Sequence, residues 1–323
     1  MKTFYWMVKR EFWENRGGFL WAPVVTGVVF LVLNVMAIVA AEVMRARNGI
    51  EIGGNNFRVL IEKASSGDLA QVGAALDMTM LSSMALITFV LAFVVFFYCL
   101  GSLYDDRRDR SVLFWKSLPL SNTGTVLSKV FSAVILAPAI AVVVGIAVGL
   151  VQLVIFSLVL SFHGINMWEL LTLAHPVRAV ISLLSSVPVY ALWAAPAVGW
   201  LMLCSAWARS KPFLWAVAAP VVAGLMVTWF GIMGVFNLPT QWFWSNIVGR
   251  ALLSVFPGSH FAMDKHAFRG ISEGLGEAHN PLALISPTQT YAVLASPNLW
   301  IGVAAGAALI AAAIWFRRTG DDS

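Results

Sequence analysis

Six apolar runs, each 18 or more residues long and nearly free of charge, constrain this chain more than any motif in it. A bilayer core of about 30 Å is crossed by roughly 20 apolar residues in a helix, and runs of that kind lie at 19–41, 79–103, 130–162, 179–207, 212–236 and 298–316. The expected fold is an all-α integral membrane protein, a single transmembrane domain of six helices over residues 1–323. Only 11% of the residues are charged and 59% are hydrophobic, against roughly 25% charged in soluble domains.

An even number of spans puts both termini on one side. Lys and Arg resist translocation and mark the cytoplasmic loops. With both termini inside, 13 of the 21 basic residues fall in the inner segments 1–18, 104–129, 208–212 and 317–323, although the outer segments are twice as long. Arg45 and Arg47, just past the first span, oppose this assignment and are outweighed. A basic stretch before the first span also suits a secretory leader, but the run at 19–41 is longer than a leader core and lacks an A-x-A cleavage site. It is therefore read as a retained span.

The third run is too long for one crossing, so it must tilt, kink near Pro138 or project. Gly145 and Gly149 are either a small-xxx-small surface for a neighbouring helix or ordinary glycine content. Cys99 and Cys204 have neither disulfide nor zinc spacing and are read as packing residues inside spans. "ARSKPF" between the fourth and fifth runs is a tight basic turn, with Pro212 at the first helical position.

The first 18 residues differ from the rest. In "MKTFYWMVKREFWENR", Phe4, Val8 and Phe12 recur at helical spacing while Lys9 and Arg16 fall elsewhere. Trp6 and Trp13 lie off that apolar face. Aromatic and basic side chains together suit the headgroup layer, so an interfacial helix is expected, turning into the membrane at Gly17–Gly18; a disordered basic leader is the alternative. The segment 237–297 is expected outside, as short external helices or a re-entrant hairpin, because "NIVGRALLSVF" and "PLALISPTQTYAVL" are too short or too broken by proline to span.

Between the second and third runs stand six consecutive charges, Asp105, Asp106, Arg107, Arg108, Asp109 and Arg110, followed by "SVLFWKSLP". Ser111 is placed to cap a short helix that Pro119 ends. Val112, Leu113, Phe114, Trp115 and Leu118, with Lys116 among them, are too apolar for an unpartnered cytosolic helix. Such a patch rests in headgroups or fits a protein groove.

These residues resemble the first cytoplasmic loop of permease subunits from ATP-binding-cassette exporters of the type-2, drug and polysaccharide class. The acidic and basic run Asp105 to Asp109, Ser111, Pro119, Ser121 and Lys129 match that loop, while Arg110 stands where the family often has Gly. The likeness extends to the order of parts: amphipathic opening helix, six spans, one sizeable cytoplasmic loop, a minimal second loop and a long external segment before the last span. The resemblance implies that the helix within 104–129 is a coupling helix seated in a separate ATPase subunit. Phe114, Trp115 and Leu118 would then be buried anchors, and Asp105 to Arg110 would set register and partner choice.

No G-x-x-x-x-G-K-[ST] phosphate loop occurs, nor H-E-x-x-H, nor G-x-S-x-G. No cofactor is expected on this chain; ATP and Mg would sit on the partner. Within the boundaries above no span contains Asp, Glu, Lys or Arg, and Asn34 and Gln152 are the notable polar members. Intramembrane charges usually mark ion pathways, so an apolar or amphipathic cargo is favoured. His260, Asp264, His266, Glu273, Glu277 and His279 carry ligand-type side chains, but their spacing fits no standard metal site, and a solvated segment is expected.

The expectation is a non-enzymatic permease half-unit in the bacterial plasma membrane, paired with a copy or paralogue and with two ATPase subunits, in contact with lipid and not nucleic acid. The alternatives are an ATPase-independent secondary transporter or other multi-span protein and, less favoured for want of a reactive constellation, a membrane enzyme.

Overall fold

A computed structural model describes residues 2–48, 66–109, 121–162, 174–234, 239–263 and 286–319. The long helices are α2 (Ala22–Asn48), α3 (Ser66–Gly101), α6 (Ala137–Phe162), α7 (Pro176–Trp207), α8 (Pro212–Ile232) and α13 (Pro297–Thr319). The short ones are α1 (Lys2–Glu14), α4 (Tyr104–Arg108), α5 (Asn122–Phe131), α9 (Thr240–Phe243), α10 (Arg250–Leu253), α11 (Ser259–Met263) and α12 (Pro287–Ala292). No strand occurs among the described residues. Among the described residues, six stretches are long and apolar enough to cross a membrane: Gly17–Met44, Leu76–Arg108, Asn122–Val159, Pro176–Trp207, Pro212–Ile232 and Pro297–Thr319. The chain is thus an all-α, multi-pass membrane protein.

Small residues set the helix contacts, because bilayer helices associate by close packing and not by apolar burial. Gly145 and Gly149 of α6 lie against Met84 and Met80 of α3, with no room at either position for another side chain. Gly199 of α7 meets the backbone of α13, where an added Cβ would stand 2.7 Å from the carbonyl oxygen of Gly306. Gly306 in turn abuts the Ala195–Pro196 peptide. Gln152 of α6 donates to Asn34 Oδ1 of α2 at 3.2 Å, so the two notable polar residues of the spans hold each other across helices. Pro220 cannot donate to the carbonyl of Ala216, four residues back. The indole N–H of Trp200 takes that acceptor at 2.9 Å.

The overlong third run is accommodated by local geometry. α5 passes into α6 through a π-turn at Ser132–Leu136, ending two residues before Pro138. At 1.5 Å per residue the 38 residues Asn122–Val159 extend about 57 Å, so this helix projects well beyond a 30 Å core. Lys211 adopts a left-handed backbone (φ 49°) ahead of Pro212 at the start of α8, which makes the basic turn. Cys99 and Cys204 are free and buried.

After α8 the chain re-enters the bundle. Thr240 lies beside Gly231, and Trp244 lies against Gly224 while donating to Thr228 Oγ1 at 2.9 Å. The segment α9 to α10, joined by a π-turn at Trp244–Gly249, therefore runs back along α8. It turns at Ser254–Gly258, where Gly258 has φ +78°. The turn packs Phe256 edge-on against Phe93 at 5.1 Å, in the middle of the second span. Irregular backbone at that depth persists only where protein groups satisfy it. Tyr190 Oη donates to the carbonyl of Val255 at 2.7 Å, and Trp193 Nε1 donates to Ser259 Oγ at 3.0 Å. Arg250 is buried, its guanidinium 3.9 Å above the Trp193 ring. The first part of the segment expected to be external thus runs back into the helix bundle.

Candidate functional site

The charged block roots in a buried ion cluster at the end of the bundle where α1 and the last turn of α13 meet. α4 (YDDRR) carries its acids in the first turn and its bases in the last, the polarity a helix dipole favours. Asp106 turns inward, with Oδ2 3.5 Å from both Lys129 Nζ and Arg317 NH1. Lys129, 3% exposed, also lies 3.2 Å from Oε1 of Glu11 and 3.4 Å from Oε2. Glu11 is fully buried and accepts from Tyr98 Oη at 2.9 Å and from Arg10 NH2 at 2.8 Å. Arg10 continues to Glu14 at 3.2 Å.

Glu14, Arg10, Glu11, Lys129, Asp106 and Arg317 thus alternate in sign and join α1, α4, α5 and α13, with Tyr98 of α3 beside them. A buried pair offsets its desolvation only when geometry and further hydrogen bonds are good. Here Glu11 has Arg10, Tyr98 and Lys129 around it, and Asp106 has two cations at 3.5 Å. Burial pushes the Glu14 carboxyl above its ordinary value, with Arg10 opposing.

Arg107 takes a different partner. Its NH2 donates to the carbonyls of Ser205 at 2.6 Å and Ala208 at 3.0 Å, at the C-terminal end of α7. A cation there satisfies carbonyls that have no helical N–H. Ser205 Oγ accepts from the backbone N–H groups of Leu103 and Tyr104 at 3.1 and 3.0 Å. On the far side of the loop, Ser121 caps α5 by accepting from the Gly124 N–H at 3.0 Å. Both ends of the loop are therefore anchored, one through Asp106 and Arg107, the other through Ser121 and Lys129.

Of the block expected to face a partner, Asp106 and Arg107 are committed within the chain, and Asp105, Arg108 and Asp109 are exposed. Arg110, Ser111, Phe114, Trp115, Lys116, Leu118 and Pro119 lie outside the described residues. On α1, Phe4 packs edge-on against Phe131 at 5.9 Å, and Val8 and Phe12 are half-buried. Glu11 sits among them. Tyr5, Trp6 and Trp13 are exposed, with Lys9 Nζ 4.8 Å from the Trp6 ring centre. This is the aromatic and cationic mixture that favours a headgroup layer.

Sequence reasoning missed Glu11, Tyr98 and Arg317, and took Lys129 only as part of a loop pattern. It also left the spans free of charge, whereas the helices run longer and include the buried Asp77, Lys129 and Arg317. Asp77 accepts from the backbone N–H of His175 at 3.0 Å, at the start of α7. Of the external ligand-type residues, His260 lies edge-on to Trp193 at 5.9 Å; Asp264, His266, Glu273, Glu277 and His279 fall outside the described residues. No group of three or more His, Cys, Asp or Glu suited to a metal occurs among the described residues.

Comparison with protein-family models, with curated proteins and with solved structures gives no match to this chain.

Proposed function

We propose that this chain is one membrane-spanning half of an ATP-driven exporter, coupled to a separate ATPase subunit through the loop between its second and third spans. The observation that carries the reading is the double anchoring of that loop. Its two roots enter one buried ion cluster that also holds α1 and α13, and Arg107 ties it to α7. A force applied to the apolar apex would reach several helices at once, because buried ion pairs and packed helices move as units and do not deform continuously. A loop that only fixed topology would need a few exposed bases. The sequence has no phosphate loop of its own, which suits energy drawn from a partner.

In this reading both termini are cytoplasmic in a bacterial plasma membrane. Two permease copies or paralogues pair, and two ATPase subunits bind below. The cargo is hydrophobic or amphipathic. The test is co-purification: Phe114→Ala with Trp115→Ala is expected to reduce recovery of the ATPase while leaving membrane insertion intact, and undiminished recovery contradicts the proposal.

The buried Arg250 at the hairpin favours a second reading, an ATPase-independent transporter, since charge at membrane depth often marks a transport path. Transport that persists without any nucleotide would select it.

A further inference from the structure

A cavity of about 630 Å³ lies between α3, α6, α7 and the tip of the hairpin. The space is open on one side and falls within the roughly 300–1,000 Å³ of small-molecule sites. Its wall is hydrocarbon and aromatic, from Met84 and Phe89 of α3 through Leu183 and Trp193 of α7 to Phe256 of the hairpin.

The hydroxyl protons of four residues in that wall are spent elsewhere, while His260 and Thr290 also line it. Thr88 Oγ1 donates to the Met84 carbonyl at 2.8 Å and Ser82 Oγ to Thr79 at 2.8 Å. Ser186 Oγ donates to Leu183 at 2.7 Å, and Tyr190 Oη to Val255 at 2.7 Å. Ordered water needs two to four polar partners, and sugars or ions need more. The edge residues Met78 and Phe89 are about half exposed on the outer surface of the second span. The space thus opens where a bilayer's chains would lie.

We propose that this cavity is a binding site for one acyl chain of a membrane phospholipid, inserted sideways between α3 and α7 as far as Trp193. The proposal concerns the chain alone and does not depend on the exporter reading. Hydrocarbon moving from one apolar medium to another gains little hydrophobic energy, so the site is held by shape and dispersion contacts. The aromatic floor of Trp193 and Phe256 supplies those contacts.

The experiment uses the full-length protein in nanodiscs containing a phospholipid with a diazirine near the end of one acyl chain, followed by photolysis and peptide mapping. Leu183, Val189 and Trp193 are buried and line the cavity, so only an inserted chain reaches them. Adducts on these residues are expected, alongside adducts on outward residues such as Val32. Ala85→Trp, at an exposed position in the mouth, is expected to abolish the inner adducts and leave those at Val32 unchanged; Ser186→Phe gives the same result from the opposite wall should the first variant fail to fold. Adducts confined to outward residues, or inner adducts that persist in both variants, overturn the proposal.

Discussion

The Lys129 ammonium lies 3.2 Å from Oε1 of Glu11, across 118 residues of sequence. That pair brings the opening helix onto the root of the charged loop. Asp106 and Arg317 extend it to the last helix, so α1, α4, α5 and α13 are joined by one alternating set of charges.

Removing the Glu11 charge strips the buried Lys129 ammonium of its nearer carboxylate and leaves it Asp106 at 3.5 Å. Glu11→Gln is expected to destabilise the folded protein by about 3–5 kcal/mol, the usual loss when one partner of a buried pair is removed. The double change Glu11→Leu with Lys129→Met should recover much of that, since no stranded charge remains. Thermal unfolding in detergent of Glu11→Leu, Lys129→Met and the double variant measures the non-additivity. Strictly additive losses would show that the two residues act separately.

Tyr190 holds the turn of the hairpin through its hydroxyl, which donates to the Val255 carbonyl at 2.7 Å. Tyr190→Phe removes the donor to the Val255 carbonyl and leaves it buried, at a cost of roughly 1–3 kcal/mol. Hydrogen exchange at 254–258 should rise while exchange in α2 stays constant. Unchanged protection of the turn would mean that the carbonyl has another donor.

Glu14 makes a pH signature with a definite sign. Burial raises its carboxyl above the ordinary 4.5, so the folded state binds a proton more readily than the unfolded state. The stabilisation this gives is complete below the unfolded value and is lost as pH rises through the raised folded value. Glu14→Gln removes that limb. The melting temperature of the variant relative to the parent should therefore increase from acid to neutral pH; a difference that is flat or falls with pH contradicts the assignment.

The spans were legible because hydropathy over 18 or more residues needs no knowledge of neighbours, whereas the spacing of Gly145 and Gly149 offered a close helix contact as only one of two readings, and the packing against Met84 and Met80 selects it. The Gly199–Gly306 contact was not legible. Its partners lie on different helices, and the spacing of Gly302 and Gly306 gives no hint that the second would meet the Ala195–Pro196 peptide. The cluster was hidden for a similar reason. Glu11 stands between Arg10 and Phe12 on an amphipathic helix, where an acid ordinarily faces water, and its burial depends on Lys129 and Tyr98 arriving from remote positions. "NIVGRALLSVF" reads as too short to span. Its depth depends on Tyr190 and Trp193 supplying donors, which periodicity cannot express.

In the proposed exporter the anchored loop carries work from a motor on another chain. The most direct measurement is vanadate-sensitive ATP hydrolysis by the partner ATPase alone, by this chain alone and by the reconstituted pair, each in lipid. Hydrolysis well above the sum of the separate preparations, abolished by Phe114→Ala with Trp115→Ala, is predicted. A rate for the pair equal to that of the ATPase alone would contradict it.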